Sequence, residues 1–338
     1  MSVRSKAWGA LLLLLAWSLG LGSGIASADC KLATVADLHA DVSGGAPIID
    51  GTINGKPIKI LIDSGSSSTV LTGAGASRLG LARKPTSGET YAIGGAAETS
   101  VTVVKELKID RFKLAGVNLA VVGDPRRYPG FDMLLGDDIL SRYDVEFDLA
   151  NGAIRLFESQ GCQPAQLVYW AKPYSQATLL DSLRDAPEIT ANVEIDGRRT
   201  VAELDTGSPA SLVDSIAAES VGVFRHSPGS EAAGPVNGLG PESEAAFTGE
   251  FSSFVFGDEK LAHTRLLVAD LTSNFEFTPS GSTLARPMMG AAKMLIGDDF
   301  LHAHRVMVAN REHVILFSYN GGPVFAVARR DPPTRPGP

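Results

Sequence analysis

The sequence carries one local pattern twice, and this internal repeat constrains the fold more than any other feature. An Asp-Ser-Gly-Ser element at 63–66 follows one apolar run, and an Asp-Thr-Gly-Ser element at 205–208 follows another. Each is succeeded by a nearly identical segment, MLLGDDIL at 133–140 and MLIGDDFL at 294–301. A match of this length predicts two copies of one folding unit, each of which supplies one aspartate.

Both copies have the patterning of β-structure. An Asn-Gly turn at 54–55 and an Asp-Gly turn at 196–197 lie between apolar runs, which is a strong hairpin signal. Helical patterning is confined to short stretches after each aspartate element and after each GDD segment. Further strands are predicted from stretches rich in β-branched and apolar residues at 100–109, 113–122, 245–257 and 264–271. The fold class is therefore predicted to be all-β.

Length and composition fit a two-lobed globular chain. With 338 residues, 44% hydrophobic and 20% charged, the chain is long enough for two domains with real cores, which we place at 29–165 and 166–325. The apolar and aromatic stretch 158–187 is expected to pack between or across the lobes, whereas 274–292 has the composition of a loop. A net charge of −8 without a Lys/Arg cluster argues against nucleic acid as a partner.

The first 28 residues have the organisation of an export signal. Arg4 and Lys6 precede an apolar core, and small residues at 26–28 form a cleavage site, so 1–28 is predicted to be a signal peptide. An uncleaved anchor helix is the open alternative, because about 20 apolar residues can span a bilayer. The mature protein is expected to be periplasmic or secreted, with no stable membrane insertion after cleavage.

The chain contains two cysteines, Cys30 and Cys162. In an oxidising compartment such a pair is predicted to form a disulfide, which would tie the mature N-terminus to the end of the first copy. Two unpaired thiols are the alternative. The proline-rich tail 326–338 is predicted to be disordered.

These motifs resemble those of the aspartic proteases, and the short copies are most similar to retroviral-type (retropepsin-like) lobes fused in tandem. The resemblance implies two β-barrel lobes in a pseudo-two-fold, bilobal arrangement. The stretch 134–157 is similar to the end of a pepsin-type lobe, with 295–317 as its weaker second copy. By that similarity, 134–136 packs beneath the catalytic loop and the final strand closes the sheet of its lobe.

The resemblance further implies an aspartic endopeptidase in which Asp63 and Asp205 form the catalytic pair. Two carboxylates a few ångströms apart cannot both ionise easily, so they share a proton, and water is activated between them. The expected partner is a peptide or protein substrate, bound by a monomeric pseudo-dimer or by a homodimer. No cofactor and no metal are expected.

The residues around each aspartate support this reading. Gly65 and Gly207 allow a sharp turn that places each aspartate at a loop tip. The hydroxyls of Ser64 and Thr206 are expected to hydrogen-bond across the lobe interface, as the resemblance implies. The hydroxyls of Ser66 and Ser208, two positions further along, are expected to orient the neighbouring carboxylates.

Substrate contacts are predicted at two kinds of position. Alternation along the strand places Glu203 on the face of Asp205, and its counterpart in the first copy is Leu61. We predict that Glu203 lines a subsite and favours a basic or polar substrate residue; a glutamate that points to solvent is the alternative. Two glycine-rich hairpin tips are predicted to be flaps that close over substrate. The flap residues are Tyr91, Ile93, Gly94 and Gly95 in copy one, and Asn237 and Gly238 in copy two.

Other interpretations are open at this stage. One is a catalytically inactive protein that retains the fold and binds peptides. Another is a protease that is active only as a dimer in which equivalent lobes meet. His302 and His304 lie near two aspartates, but we expect a strand or capping role for them instead of a metal site. The sequence contains no P-loop and no nucleophile elbow.

Overall fold

A computed structural model describes most of the chain. The predicted signal 1–28, the tail 326–338 and most of the predicted loop 274–292 lie outside the described residues. Within the described part, no helix combines the length and the apolar character needed to cross a membrane. The described residues are 29–86, 90–127, 129–181, 187–271, 276–277, 286–287 and 292–325.

The first copy is built from short strands and short helices, as its turn-rich patterning predicts. Asn54 and Gly55 both adopt positive φ, 52° and 78°, which makes the tight hairpin turn that joins β2 to β3. The elements of this copy are β1 (Lys31–His39), β2 (Ile48–Ile53), β3 (Lys56–Ile62), β4 (Val70–Thr72), α1 (Gly73–Leu79), β5 (Lys84–Pro85), β6 (Thr90–Ala92), β7 (Gly95–Ala97), β8 (Thr99–Ile109), β9 (Phe112–Val122), β10 (Met133–Leu135), α2 (Asp137–Leu140), β11 (Asp144–Asp148), a 3-10 turn (Leu149–Asn151) and β12 (Ala153–Gln160).

The second copy repeats this order after a short connection. Asp196 and Gly197 adopt positive φ of 49° and 76° at the equivalent hairpin. The connection contains α3 (Pro164–Leu167) and β13 (Ser175–Thr178). The second copy contains β14 (Thr190–Ile195), β15 (Arg198–Leu204), β16 (Leu212–Asp214), α4 (Ser215–Glu219), β17 (Glu231–Ala232), β18 (Val236–Asn237), β19 (Ser243–Glu244), β20 (Phe247–Phe256), β21 (Glu259–Ala269), β22 (Glu276–Phe277), β23 (Arg286–Pro287), β24 (Met294–Ile296), α5 (Asp298–Leu301), β25 (His304–Ala309) and β26 (Val314–Tyr319).

Each copy closes into a barrel of its own. In the first, the strand order is β2-β3-β10-β4-β9-β8, and β8 pairs back with β2; β5 is added to the edge of β8. The second has the equivalent order β14-β15-β24-β16-β21-β20, and β20 pairs back with β14. The all-β fold with two tandem barrel lobes is therefore confirmed. The fully buried side chains at the barrel cores include Ile53, Ile60, Leu71 and Leu107 in lobe one and Phe251, Phe254, Phe256 and Phe300 in lobe two.

The last strands of the two copies form a sheet that both lobes share. Its order is β1-β12-β11-β25-β26-β13, and β11 of lobe one pairs with β25 of lobe two through Val145↔Val308 and Phe147↔Val306. The expectation that the final strand closes the sheet of its own lobe is therefore wrong. Each barrel already closes through other strands, so the terminal hairpins pair with one another.

Three further features stabilise this shared sheet. The connection between the lobes packs across it, as expected for 158–187, because β13 pairs with β26. Glu146 of lobe one is fully buried and accepts a hydrogen bond of 2.8 Å from Arg305 of lobe two. The predicted disulfide between Cys30 and Cys162 is present and joins the start of β1 to the end of β12.

Candidate active site

The two aspartate elements occupy equivalent turns in the two lobes. In lobe one, β3 ends immediately before Asp63 and runs parallel to β10, so the Asp63 N–H donates to the carbonyl of Leu135 at 3.0 Å. In lobe two, the Asp205 N–H donates to the carbonyl of Ile296 at 2.9 Å. This backbone contact agrees with the expectation that 134–136 packs beneath the aspartate turn of lobe one. Both aspartates are thus held where a strand ends at the junction of the lobes.

The two turns are bonded to each other through their hydroxyl residues. Ser64 Oγ donates to the carbonyl of Leu204 at 2.8 Å and accepts from the N–H of Thr206 at 3.1 Å. In the reciprocal direction, Thr206 Oγ1 donates to the carbonyl of Ile62 at 2.6 Å and accepts from the N–H of Ser64 at 3.0 Å. All four bonds are buried and cross the lobe interface, so the predicted role of Ser64 and Thr206 is confirmed.

The carboxylates are oriented by backbone N–H groups and not by the hydroxyls of the following serines. Gly65 N–H donates to Asp63 Oδ1 at 3.0 Å, and Gly207 N–H donates to Asp205 Oδ1 at 2.8 Å. The prediction that Ser66 and Ser208 orient the carboxylates with their hydroxyls is wrong. Each hydroxyl instead donates within its own turn: Ser66 binds the Ser68 carbonyl at 2.9 Å and Ser208 binds the Ala210 carbonyl at 2.8 Å.

Glycine is required in each turn because the opposite carboxylate lies against it. A Cβ added to Gly207 would lie 2.6 Å from Oδ1 of Asp63, and a Cβ added to Gly65 would collide with the carboxylate of Asp205. Each aspartate is only 8% exposed. The structure therefore brings Asp63 and Asp205 of one chain together in a buried pair.

The environment of this pair favours one shared proton. Burial raises the pKa of Asp63 well above its ordinary range, and the neighbouring charge of Asp205 raises it further. Burial also raises the pKa of Asp205, but the N–H of Gly207 and a hydrogen bond with Asp63 oppose that rise. The pair titrates as a unit. One proton is therefore shared between Asp63 and Asp205.

A second pair of buried carboxyl groups lies behind the first and was missed in the sequence. Asp137 and Asp298 each begin the short helix after the Gly of a GDD segment, and each is 1% exposed. Burial is the main cause that raises the pKa of Asp137 to about 9 and that of Asp298 to about 10, and the charges of the catalytic pair add to both. The repetition of an aspartate after an apolar run and one glycine was the available signal.

The two carboxyl groups of this second pair are alike in their lack of hydrogen-bond partners: among the described residues, none bonds to either oxygen of Asp137 or of Asp298. The N–H of Ile189 partly counters the rise in the pKa of Asp137. Pro47 occupies the position equivalent to Ile189 and has no N–H.

The second aspartate of each GDD segment has a structural role. Asp138 Oδ1 accepts from the N–H of Thr69 at 2.8 Å and from its hydroxyl at 2.7 Å. Asp299 Oδ1 accepts equivalently from Ser211, at 2.9 and 2.6 Å. A hydroxyl residue six positions after Asp63 and after Asp205 was the signal for this contact. These bonds fix the far end of each aspartate turn.

A cleft of about 2090 Å³ runs over the aspartate pair between the lobes. Asp63 and Asp205 line it together with Leu61 and Glu203, so both predicted subsite residues face the cleft. Leu61 is buried and Glu203 is half-buried. The alternative in which Glu203 points away to solvent is not what the structure shows.

Both predicted flaps are hairpins that cover this cleft, and they cross. Ile93, at the tip of the β6–β7 hairpin of lobe one, packs against an apolar cluster of lobe two that contains Leu212 and Leu295. Leu239, beyond β18 in lobe two, packs against a lobe-one cluster that contains Leu61 and Leu134. Each flap therefore contacts the apolar floor of the opposite lobe.

The flap tips are bonded to one another. Gly240 N–H donates to the carbonyl of Ile93 at 3.1 Å, and Glu242 N–H donates to the carbonyl of Gly94 at 3.0 Å. Arg127 Nη1 donates to the carbonyl of Gly240 at 3.0 Å, which fastens the second flap to lobe one. The two bonded hairpins together cover the cleft above the aspartate pair.

The remaining predicted flap residues divide into two groups. Tyr91, Asn237 and Gly238 line the cleft. Gly94 and Gly95 form the turn of the first flap, with φ of 90° and 96°, and are not among the residues that line the cleft.

The two histidines of lobe two contact separate groups. His302 Nε2 lies 3.2 Å from the carbonyl of Gly45. His304 is fully buried, stacks on Phe300, and has Nε2 3.1 Å from Glu259. Both contacts are structural in kind, as expected from the sequence.

Comparison with known proteins agrees with this geometry. The family model described as "Aspartyl protease" matches residues 49–139, which span the first barrel from β2 to α2 and include Asp63. A search of curated proteins found no match to the chain. The match covers one lobe, and the second lobe repeats its topology and its aspartate turn. The family match therefore shows that the first lobe is similar to aspartyl proteases, and the second lobe has the equivalent strand order.

Proposed function

We propose that this protein is an aspartic endopeptidase whose single active site is formed by Asp63 and Asp205 of one chain. The observation that carries the proposal is the contact of the two buried carboxyl groups at the lobe junction, beneath a cleft with two flaps. The contact lies within one chain, which favours a complete site in a monomer over a site made by equivalent lobes of two chains.

The geometry supports hydrolysis by an activated water. Water held between the carboxyl groups gives a proton to ionised Asp205 while its oxygen attacks the carbonyl carbon of the peptide bond. Protonated Asp63 donates to the carbonyl oxygen, and a tetrahedral diol forms. Transfer of a proton to the amide nitrogen then breaks the C–N bond and releases acid and amine. No covalent bond to the enzyme is needed.

The proposal extends to location and partner. A disulfide between Cys30 and Cys162 is typical of an oxidising compartment, which supports a periplasmic or secreted protein. The length of the cleft and the two flaps suit an extended peptide or an unfolded segment of a protein as substrate.

Cleavage of a mixed peptide library by the purified mature protein tests the proposal. Asp63→Asn and Asp205→Asn should each lower kcat/KM by at least about 1000-fold, because each removes one half of the acid–base pair. Asp50→Asn, on an exposed side chain of β2, is the matched control and should retain activity. Cleavage that survives in either active-site variant would contradict the single site. Peptide binding without cleavage by the wild type would show an inactive binding protein instead.

A further inference from the structure

The two sides of the cleft can be compared position by position, because the backbone bonds of the lobes match. Ile62 N–H donates to the carbonyl of Pro47 at 3.0 Å, and Leu204 N–H donates to the carbonyl of Ile189 at 2.9 Å. Pro47 and Ile189 are separated by the same number of residues as Asp63 and Asp205, and so are Ile62 and Leu204. Strand register agrees, since Ile48 pairs with Leu61 and Thr190 pairs with Glu203.

This correspondence reveals two substitutions of one kind. Leu61 of lobe one corresponds to Glu203 of lobe two, and Ala46 corresponds to Glu188. On the lobe-one side, Leu61 is 3% exposed and lies in an apolar cluster against which Ala46 packs. On the lobe-two side, Glu188 and Glu203 are both half-buried and both line the cleft. At these two positions the lobe-two side therefore carries carboxylates where the lobe-one side carries apolar side chains.

Both glutamates lie close to the reacting groups. Glu203 is two residues before Asp205 on the same strand face. The charge of Glu188 contributes to the raised pKa of Asp137, behind the catalytic pair. Leu295 and Leu212, which are 8% and 2% exposed, provide the apolar part of the same side. The result is a subsite with apolar walls and a negative end.

Such a subsite discriminates by charge. A lysine or arginine side chain packs its methylene groups on the leucines and places its cation beside the carboxylates, where partial burial strengthens the attraction. An apolar side chain of the same length would bury the carboxylates further without supplying an opposite charge. The lobe-one side, with Leu61 and Ala46, has the opposite preference.

We propose that Glu188 and Glu203 make the cleft selective for peptides that place a lysine or arginine on the lobe-two side of the aspartate pair and an apolar residue on the lobe-one side. The inference rests on the proposed function, because it concerns the substrate of that same site.

Paired peptides test this selectivity. One peptide has a lysine next to the cleaved bond, and its partner has a norleucine at the same position. Each pair is made twice, once with this residue before the cleaved bond and once with it after the bond. Wild-type kcat/KM should favour lysine by at least about ten-fold on one side only, and norleucine on the other. Glu203→Gln and Glu188→Gln should each lower the preference for lysine by about ten-fold. This effect lies between the effect expected from losing an exposed charge pair and that expected from losing a buried one.

The controls separate this inference from the proposed function. Glu194→Gln removes an exposed carboxylate of lobe two outside the cleft, and the preference should stay at the wild-type value. Equal preference for lysine and norleucine in the wild type, or an unchanged preference in both cleft variants, overturns the inference while cleavage itself upholds the proposed function. If no peptide is cleaved, the same ratio is read from the Kd values of the two peptides, and equal affinities overturn the inference.

Discussion

The buried carboxyl groups of Asp137 and Asp298 should make the protein more stable in mild acid than at neutral pH. Their pKa values, about 9 and about 10 in the folded state, lie far above the ordinary value of 3.8. Between about pH 4 and pH 9 the folded state keeps both protons and the unfolded state has lost them. The free energy of unfolding therefore falls as pH rises through this window, and each group contributes stability that is complete only below its unfolded pKa.

The magnitude follows from linkage. One proton bound only in the folded state changes the free energy of unfolding by about 1.4 kcal/mol per pH unit. For two carboxyl groups, the decrease between pH 5 and pH 7 is about 5 kcal/mol. The catalytic pair adds a decrease of the same sign, because burial raises its pKa values as well.

Urea unfolding followed by circular dichroism at pH 5, 6 and 7 measures this effect. Asn has the shape of a protonated Asp and does not titrate, so Asp137→Asn/Asp298→Asn should reduce the pH dependence by about 5 kcal/mol over that range and stabilise the protein at pH 7. Asp50→Asn, on an exposed side chain, should leave the pH dependence unchanged. A double variant with the wild-type pH dependence would refute the reasoning.

Three further predictions concern activity and stability. The rate of cleavage should be bell-shaped in pH, because it rises as the Asp63–Asp205 pair loses its first proton and falls as the pair loses its second. The maximum should lie above that expected for carboxyl groups of ordinary pKa, and a maximum below pH 3 would contradict the raised pKa values. Gly207→Ala should lower kcat/KM by at least about 100-fold, because its Cβ would lie 2.6 Å from Oδ1 of Asp63; wild-type kinetics in this variant would show that the turn can move aside. The Cys30–Cys162 disulfide joins residues that are 132 positions apart in sequence, so its reduction should lower the free energy of unfolding by up to about 5 kcal/mol. Urea unfolding with and without reductant measures this change, and identical midpoints would contradict it.

The sequence was sufficient for the features that local patterns determine. The hairpin turns at Asn54 and Asp196 need positive φ, and the residue pairs Asn-Gly and Asp-Gly predict turns of this kind. The repeated aspartate turns led to the two-lobed fold, and the hydroxyls of Ser64 and Thr206 were correctly assigned to the interface.

Features that depend on packing between distant segments were not accessible in the same way. The pairing of β11 with β25 depends on which edges remain free after each barrel closes, and no local pattern encodes that. The hydroxyl of Ser66 can reach either its carboxylate or a carbonyl in its own turn, and the turn geometry selects the carbonyl. Glu188 could have been found only by extending the alignment of the copies past their strands to Ala46.

The central claim is that one chain holds one complete active site. Calorimetric titration measures the number of active sites per chain directly. The titrant is a peptide whose scissile bond is replaced by a non-hydrolysable hydroxyethylene group, because such a group mimics the tetrahedral intermediate. The structure predicts one inhibitor bound per chain by a monomer, with affinity lost in Asp205→Asn. One inhibitor bound per two chains would contradict the claim, because it would place the site between equivalent lobes of a dimer.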